Sequence, residues 1–197
     1  MFKIKDVNFE IVHSYLDAFI SNQENKLIFG LHITGKSKKD VFLEYEPTVH
    51  SDVLLKINVN EIKKWNNISN KIIEWENYPE DETAPPSALL YVFEHEFIYN
   101  CKIKFKEING EMFININALC DVNFDEEYSR RLPLEIETKI EFEGIYFGKG
   151  TNEKECIERI KQYLPEEKLI YVKNKYDVSL LIPNNRNVES NRLIMGY

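Results

Sequence analysis

The sequence predicts an α+β fold that is predominantly antiparallel β-sheet, meander or sandwich-like, with two or three packed helices. Three observations predict it. Apolar and mostly polar residues alternate with period two over Leu89–Phe124, with a change of parity at Asn109-Gly110. A further alternating run starts at Leu134. A stripe of helical period follows Asn152. Period two puts alternate side chains on opposite faces of a strand, whereas a 3.6-residue period gathers them on one side of a helix.

The hairpin is the best-defined element. Tyr91, Phe93, Phe97, Tyr99, Cys101, Ile103 and Phe105 are apolar at odd positions, and Met112, Ile114, Ile116, Ala118, Cys120, Val122 and Phe124 at even ones. Asn109-Gly110 suits a type I′ turn, which needs positive φ at both central residues. A two-residue turn pairs Ile108 with Glu111. It then sets Phe105 opposite Ile114, Ile103 opposite Ile116, Cys101 opposite Ala118 and Phe97 opposite Val122. All share one face, and a slip of one residue would expose one strand's apolar set. In the third strand Leu134, Ile136, Thr138, Ile140 and Phe142 point one way, and Glu135, Glu137, Lys139, Glu141 and Glu143 the other.

The first half is read the same way. Ile11, Val12, Tyr15, Leu16, Phe19 and Ile20 fall on one helical stripe over residues 9–20, with Asn8 as N-cap. The same segment is rich in β-branched and aromatic residues, and a strand turning at Ser21–Asn25 is the alternative. Leu27, Phe29, Leu31 and Ile33 alternate as a strand. Val41–Glu46 reads as a short strand stopped at Pro47, and Val53, Leu55, Ile57 and Val59 as another. Asn60 caps a short helix containing Ile62 and Trp65, and Lys71–Trp75 either continues it or forms a strand. Residues 76–87 carry three prolines and four acids. They read as an exposed loop on one domain of 197 residues, and as the place for any subdomain boundary.

Past Leu134 the alternation ends at Gly148-Lys149-Gly150. Asn152 stands three before Glu155, a capping-box spacing, and Cys156, Ile157, Ile160 and Leu164 form the stripe of a helix that Pro165 ends. Leu169–Val172 and Val178–Ile182 read as a final strand pair, followed by a polar tail.

Composition narrows the function classes. A formal charge of −8 disfavours nucleic acid and anionic membranes as partners. Cys101, Cys120 and Cys156 are the only cysteines. They form no Cys-x-x-Cys, and buried free thiols in a reducing compartment are expected. The opening residues lack a signal peptide's apolar run, and no stretch approaches 18 apolar residues, so a cytoplasmic protein is expected.

Gly30-Leu31-His32-Ile33-Thr34-Gly35-Lys36-Ser37 matches G-x-x-x-x-G-K-[ST]. In a phosphate-binding loop that spacing wraps backbone N–H groups around phosphates, with Lys36 and Ser37 on the terminal phosphates and magnesium. Here the intervening residues continue a strand's alternation, and no helical stripe follows. A lysine-rich turn at Gly35, Lys36 and Ser37 is the simpler reading. His95 falls on the apolar face near Phe124 and reads as a core histidine. His13, His32 and His50 are scattered without metal-ligand spacing. No catalytic grouping assembles, and no metal or cofactor is expected.

Charge placement remains. Asp125, Glu126 and Glu127 lead into a strand whose polar face carries Glu135, Glu137, Glu141 and Glu143. Such faces keep strands soluble and apart. They also suit docking to a basic protein. The reading is a non-catalytic binding protein that presents an acidic surface to a basic partner, one form being an immunity protein, an antitoxin against a nuclease-type toxin. The alternative is a small-ligand or nucleotide-binding protein, or an enzyme, with a cavity between sheet and helices.

Overall fold

The computed structural model describes all residues except 38–45, 59, 62, 77–87, 93, 123–129, 165–167, 175 and 185–197. Its elements are β1 (Phe2–Ile4), β2 (Val7–Ser21), β3 (Lys26–Ser37), β4 (Thr48–Asn58), β5 (Ile72–Trp75), β6 (Leu89–Tyr91), β7 (His95–Ile108), β8 (Glu111–Cys120), β9 (Leu132–Lys149), α1 (Glu153–Ile160), β10 (Leu169–Lys173) and β11 (Val178–Pro183). A single turn of 3-10 helix covers Trp65–Ile68.

The fold is therefore sheet-dominated, and the expected α+β arrangement with two or three packed helices is wrong. Among the described residues only α1 is an α-helix. The stretch 9–20 lies inside the 15-residue strand β2. Its buried positions are odd at Phe9 but even at Leu16 and Ala18, while Val12 and Phe19 are each 38% exposed. A strand that changes its buried parity midway imitates a helical stripe, and its β-branched and aromatic residues favour the extended form. Asn60 sits at positive φ and so lacks the extended backbone of an N-cap, and Ile62 of the expected helix lies outside the described residues. The expected strand at Val41–Glu46, apart from Glu46 itself, and most of the acidic loop at 76–87 lie outside the described residues. No described helix is long and apolar enough to cross a membrane.

The chain forms two compact units. The first comprises Met1–Leu16, Phe29–Lys56 and Ile68–Glu141. Within it β1 pairs with β2 through Phe2–Phe9 and with β9 through Phe2–Ile136. The strand order β1-β2-β3-β4-β6-β7-β8-β9 thus closes on itself. That closure distinguishes it from an open meander or a sandwich. β5 pairs with β7 through Ile73–Ile103, and the Trp75 indole N–H donates to the Ile98 carbonyl at 2.8 Å. Phe29, Leu31, Ile33, Ile103, Phe105, Ile114, Ile116, Leu134 and Ile136 form its core, each at most 3% exposed.

The hairpin keeps its predicted register near the turn. Ile108 faces Glu111, Phe105 faces Ile114 and Ile103 faces Ile116, with Asn109 and Gly110 both at positive φ. The pairing then shifts between Tyr99 and Lys102, so that Ile98 faces Cys120. Asn100, at φ 45°, supplies the extra residue of this bulge. Asn100 and Cys101 together stand against Ala118 at the bulge, and the shifted register no longer sets Phe97 opposite Val122. Phe97 pairs instead with Leu89 and is 36% exposed, while Val122 is buried. The bulge also puts Glu96 and Ile98 inside and His95 outside. His95 is thus no core histidine.

The second unit comprises Asp17–Ile28, Ile57–Asn67 and Phe142–Tyr197. Here β11 pairs with the end of β9 and with β10. Asn152 caps α1 as expected, its side-chain oxygen accepting from the Glu155 N–H at 3.0 Å. Cys156 and Ile160 are buried beneath the helix. The Thr151 carbonyl accepts from both Ser179 Oγ at 2.6 Å and Tyr171 Oη at 2.9 Å. Trp65 stacks on Phe142, ring centres 5.3 Å apart.

Candidate functional site

Two surface features of the first unit hold the chain's concentrated polar chemistry. One is the outer face of β7, β8 and β9. Glu135 and Glu137 of β9 stand opposite Asn117 and Asn115 of β8, which stand opposite Lys102 and Lys104 of β7. The face is banded, with acids, amides and lysines on successive strands. Lys102 pairs with Glu74 of β5, and Lys139 with Glu111 of β8 at 2.5 Å. That hydrogen bond raises the Lys139 pKa. On the other edge of β9, Lys3 of β1 stands opposite Glu135.

Of the acids singled out in the sequence, Glu137 and Glu141 are exposed and Glu135 half-buried on this face. Glu143 is not on it. It is 6% exposed and accepts from the Tyr146 hydroxyl at 3.5 Å, in the second unit. Asp125, Glu126 and Glu127 lie outside the described residues.

The second feature is a row of rings that sequence reading missed. Tyr15 of β2 stacks on His32 of β3, ring centres 4.9 Å apart and 17° between planes. His32 lies 6.4 Å from His50 of β4 with planes 12° apart. His50 meets His95 of β7 edge-on, at 5.5 Å and 82°. Tyr91 of β6 lies 5.1 Å from His95. His32 and His50, expected to be scattered, thus stand side by side with His95. Spacing rules such as His-x₃-His find only ligands on one local element, and this set is assembled by pairing across strands. The signal available was the parity of β3, which sets His32 on the face opposite Leu31 and Ile33. Burial lowers the His50 pKa, Asp52 pulls it upward, and His32 and His95 push it down further. His50 Nδ1 is buried without a hydrogen-bond partner.

Gly35, Lys36 and Ser37 are the last residues of β3, neither a turn nor a phosphate loop. An extended strand directs successive N–H groups to opposite sides, so they cannot enclose one anion. Gly35 has a packing reason instead. A Cβ there would lie 2.8 Å from Phe2 Cδ1 and 3.0 Å from Phe9 Cβ.

The interior also holds acids. Asp121 and Glu96 are 6% and 4% exposed. Asp121 Oδ1 accepts from the Tyr99 hydroxyl at 2.8 Å and the Arg131 N–H at 2.9 Å. Burial raises the Cys120 pKa, and both carboxylates add to that. Among the described residues, no three histidine, cysteine or acidic side chains converge as a metal-binding group. No protein-family model, curated protein or solved structure matches the chain.

Proposed function

We propose that the chain is a non-catalytic binding protein that offers the outer carboxylates of β9 to a basic protein. The supporting observation is the placement of Glu135, Glu137 and Glu141 at alternate outward positions of one strand. Glu135 and Glu137 face uncharged Asn117 and Asn115 across the ladder with β8. A partner's lysines or arginines can therefore approach the two carboxylates over an amide strip, free of cationic competitors on β8. With a net charge of −8, long-range attraction steers encounter with a basic surface. An immunity protein covering the basic cleft of a nuclease-type toxin is one form of this activity, since a nucleic-acid cleft must carry cations.

The test is affinity capture from the native lysate at low and high salt. The wild-type chain is compared with a Glu135→Gln, Glu137→Gln, Glu141→Gln triple variant. The expected result is a basic protein retained at low salt by the wild type alone and released as salt rises, because exposed charge pairs are screened. Equal capture by the variant, or capture insensitive to salt, would rule the reading out.

A further inference from the structure

The row of imidazoles supports a second site, independent of the acidic face. We propose that His50 and His95 form a two-imidazole clamp for one borderline divalent transition-metal ion, of the zinc, nickel or copper(II) class. The argument is geometric. With about 2.0–2.1 Å from metal to ring nitrogen and about 1.2 Å from nitrogen to ring centre, two imidazoles on a tetrahedral ion have centres about 5.3 Å apart. His50 and His95 stand at 5.5 Å edge-on, so a turn of the exposed His95 ring within that separation brings both lone pairs onto one ion. The same construction reaches about 6.5 Å only when nitrogen, metal and nitrogen are collinear. His32 and His50, at 6.4 Å, would need that near-linear arrangement, which a tetrahedral zinc ion does not give. His32 is thus a neighbour of the clamp and not part of it.

The local chemistry agrees. His50 Nδ1 has no hydrogen-bond partner, so no protein contact at that atom fixes the tautomer, and either ring nitrogen can carry the lone pair. His95 is exposed, which leaves its ring room to turn about the side-chain torsions and leaves the outer side open to solvent. Asp52, two residues along β4 from His50 and on the same face, adds negative charge beside the ion. Among the described residues no third ligating side chain converges there, and water completes the coordination sphere. Imidazole nitrogen selects zinc, nickel and copper(II) over magnesium and calcium, which prefer oxygen.

Isothermal titration of the full chain with zinc chloride tests this, with magnesium chloride as the second titrant. One zinc site is expected and no magnesium heat. His50→Ala and His95→Ala should each weaken zinc binding about ten-fold or more, as loss of one of two protein ligands requires. His32→Ala should bind within about two-fold of wild type. Circular dichroism melting checks that each variant is folded, and His95→Gln replaces His95→Ala if that variant melts early. Absence of a zinc site would overturn the clamp, as would a site that survives in a variant carrying both His50→Ala and His95→Ala or depends equally on His32.

Discussion

Tyr99 and Asp121 are joined by a 2.8 Å hydrogen bond inside the first unit, both all but inaccessible to solvent. The carboxylate oxygen that receives the phenol also receives the Arg131 backbone N–H. Asp121 thereby ties β7 to the first turn of chain before β9. Tyr99→Phe removes one of two donors from a buried charge, and a hydrogen bond to a charged group contributes about 1.5–3 kcal/mol. A loss of that size is expected in urea denaturation. Asp121→Asn, which keeps an acceptor oxygen for both donors, should cost less than Asp121→Ala. If the three variants unfold at the same midpoint as wild type, the bond carries no stability.

The bulge at Asn100 gives a second prediction. Its φ of 45° is a conformation that asparagine and glycine adopt readily and that β-branched residues resist. Asn100→Val should destabilise the chain by roughly 1–2 kcal/mol, the strain of a left-handed residue, whereas Asn100→Gly should be close to neutral. Equal melting temperatures for the two variants would contradict the assignment of this residue to the bulge.

This one residue also separates what was legible in the sequence from what was not. Between the turn and Ile103 the hairpin register follows from Asn109-Gly110 and alternation, because turn geometry and burial specify the same pairing. Beyond Asn100, extending that register misplaces His95 and Phe97, which lie outside, and Glu96 and Ile98, which lie inside, while Tyr99 and Val122 are buried as alternation expects. An extra residue flips the faces, and an asparagine in an alternating strand is a weak sign of it. β2 misled for a related reason, since its buried parity changes between Phe9 and Leu16. The cap at Asn152 was legible because a capping box is local. The row of His32, His50 and His95 was not, since it depends on pairings among β3, β4, β6 and β7 that bring together residues far apart in sequence. The exposed acids of β9 followed from alternation as far as Glu141. Glu143 did not, because the strand passes at that point into the second unit, where Glu143 and Ile145 are both buried.

Gly35 and Lys36 allow packing and nucleotide binding to be told apart. Gly35→Ala drives a methyl group against the Phe2 ring and Phe9 Cβ. Overpacking of this kind costs about 1–3 kcal/mol, equivalent to a fall in melting temperature of several degrees for a chain of this size. Lys36 is exposed, so Lys36→Ala should leave the melting temperature unchanged. Magnesium-ATP should raise it for neither wild type nor variant. A rise with magnesium-ATP that Lys36→Ala abolishes would restore the phosphate-binding reading, because a ligand bound to the native state alone stabilises it.

Cys101 predicts how stability changes with alkali. Its thiol is 3% exposed, and burial pushes its pKa up to about 12, against about 8.5 for a thiol in an unfolded chain. The folded state therefore keeps a proton that the unfolded state gives up between those values. The resulting stabilisation is complete below about pH 8.5 and is lost progressively as the pH rises toward 12, at up to about 1.4 kcal/mol per pH unit. Urea midpoints for wild type and Cys101→Ala, measured at intervals across pH 8–11, isolate this contribution from the other groups that titrate there. Cys101→Ala is less stable at pH 8 because it loses the packed sulfur, but its stability should fall less steeply with pH, by about one proton's worth of slope. The two curves should converge as the pH rises. Parallel curves would mean that the folded chain releases the Cys101 proton as readily as the unfolded chain does, and that β7 opens to solvent at this strand position.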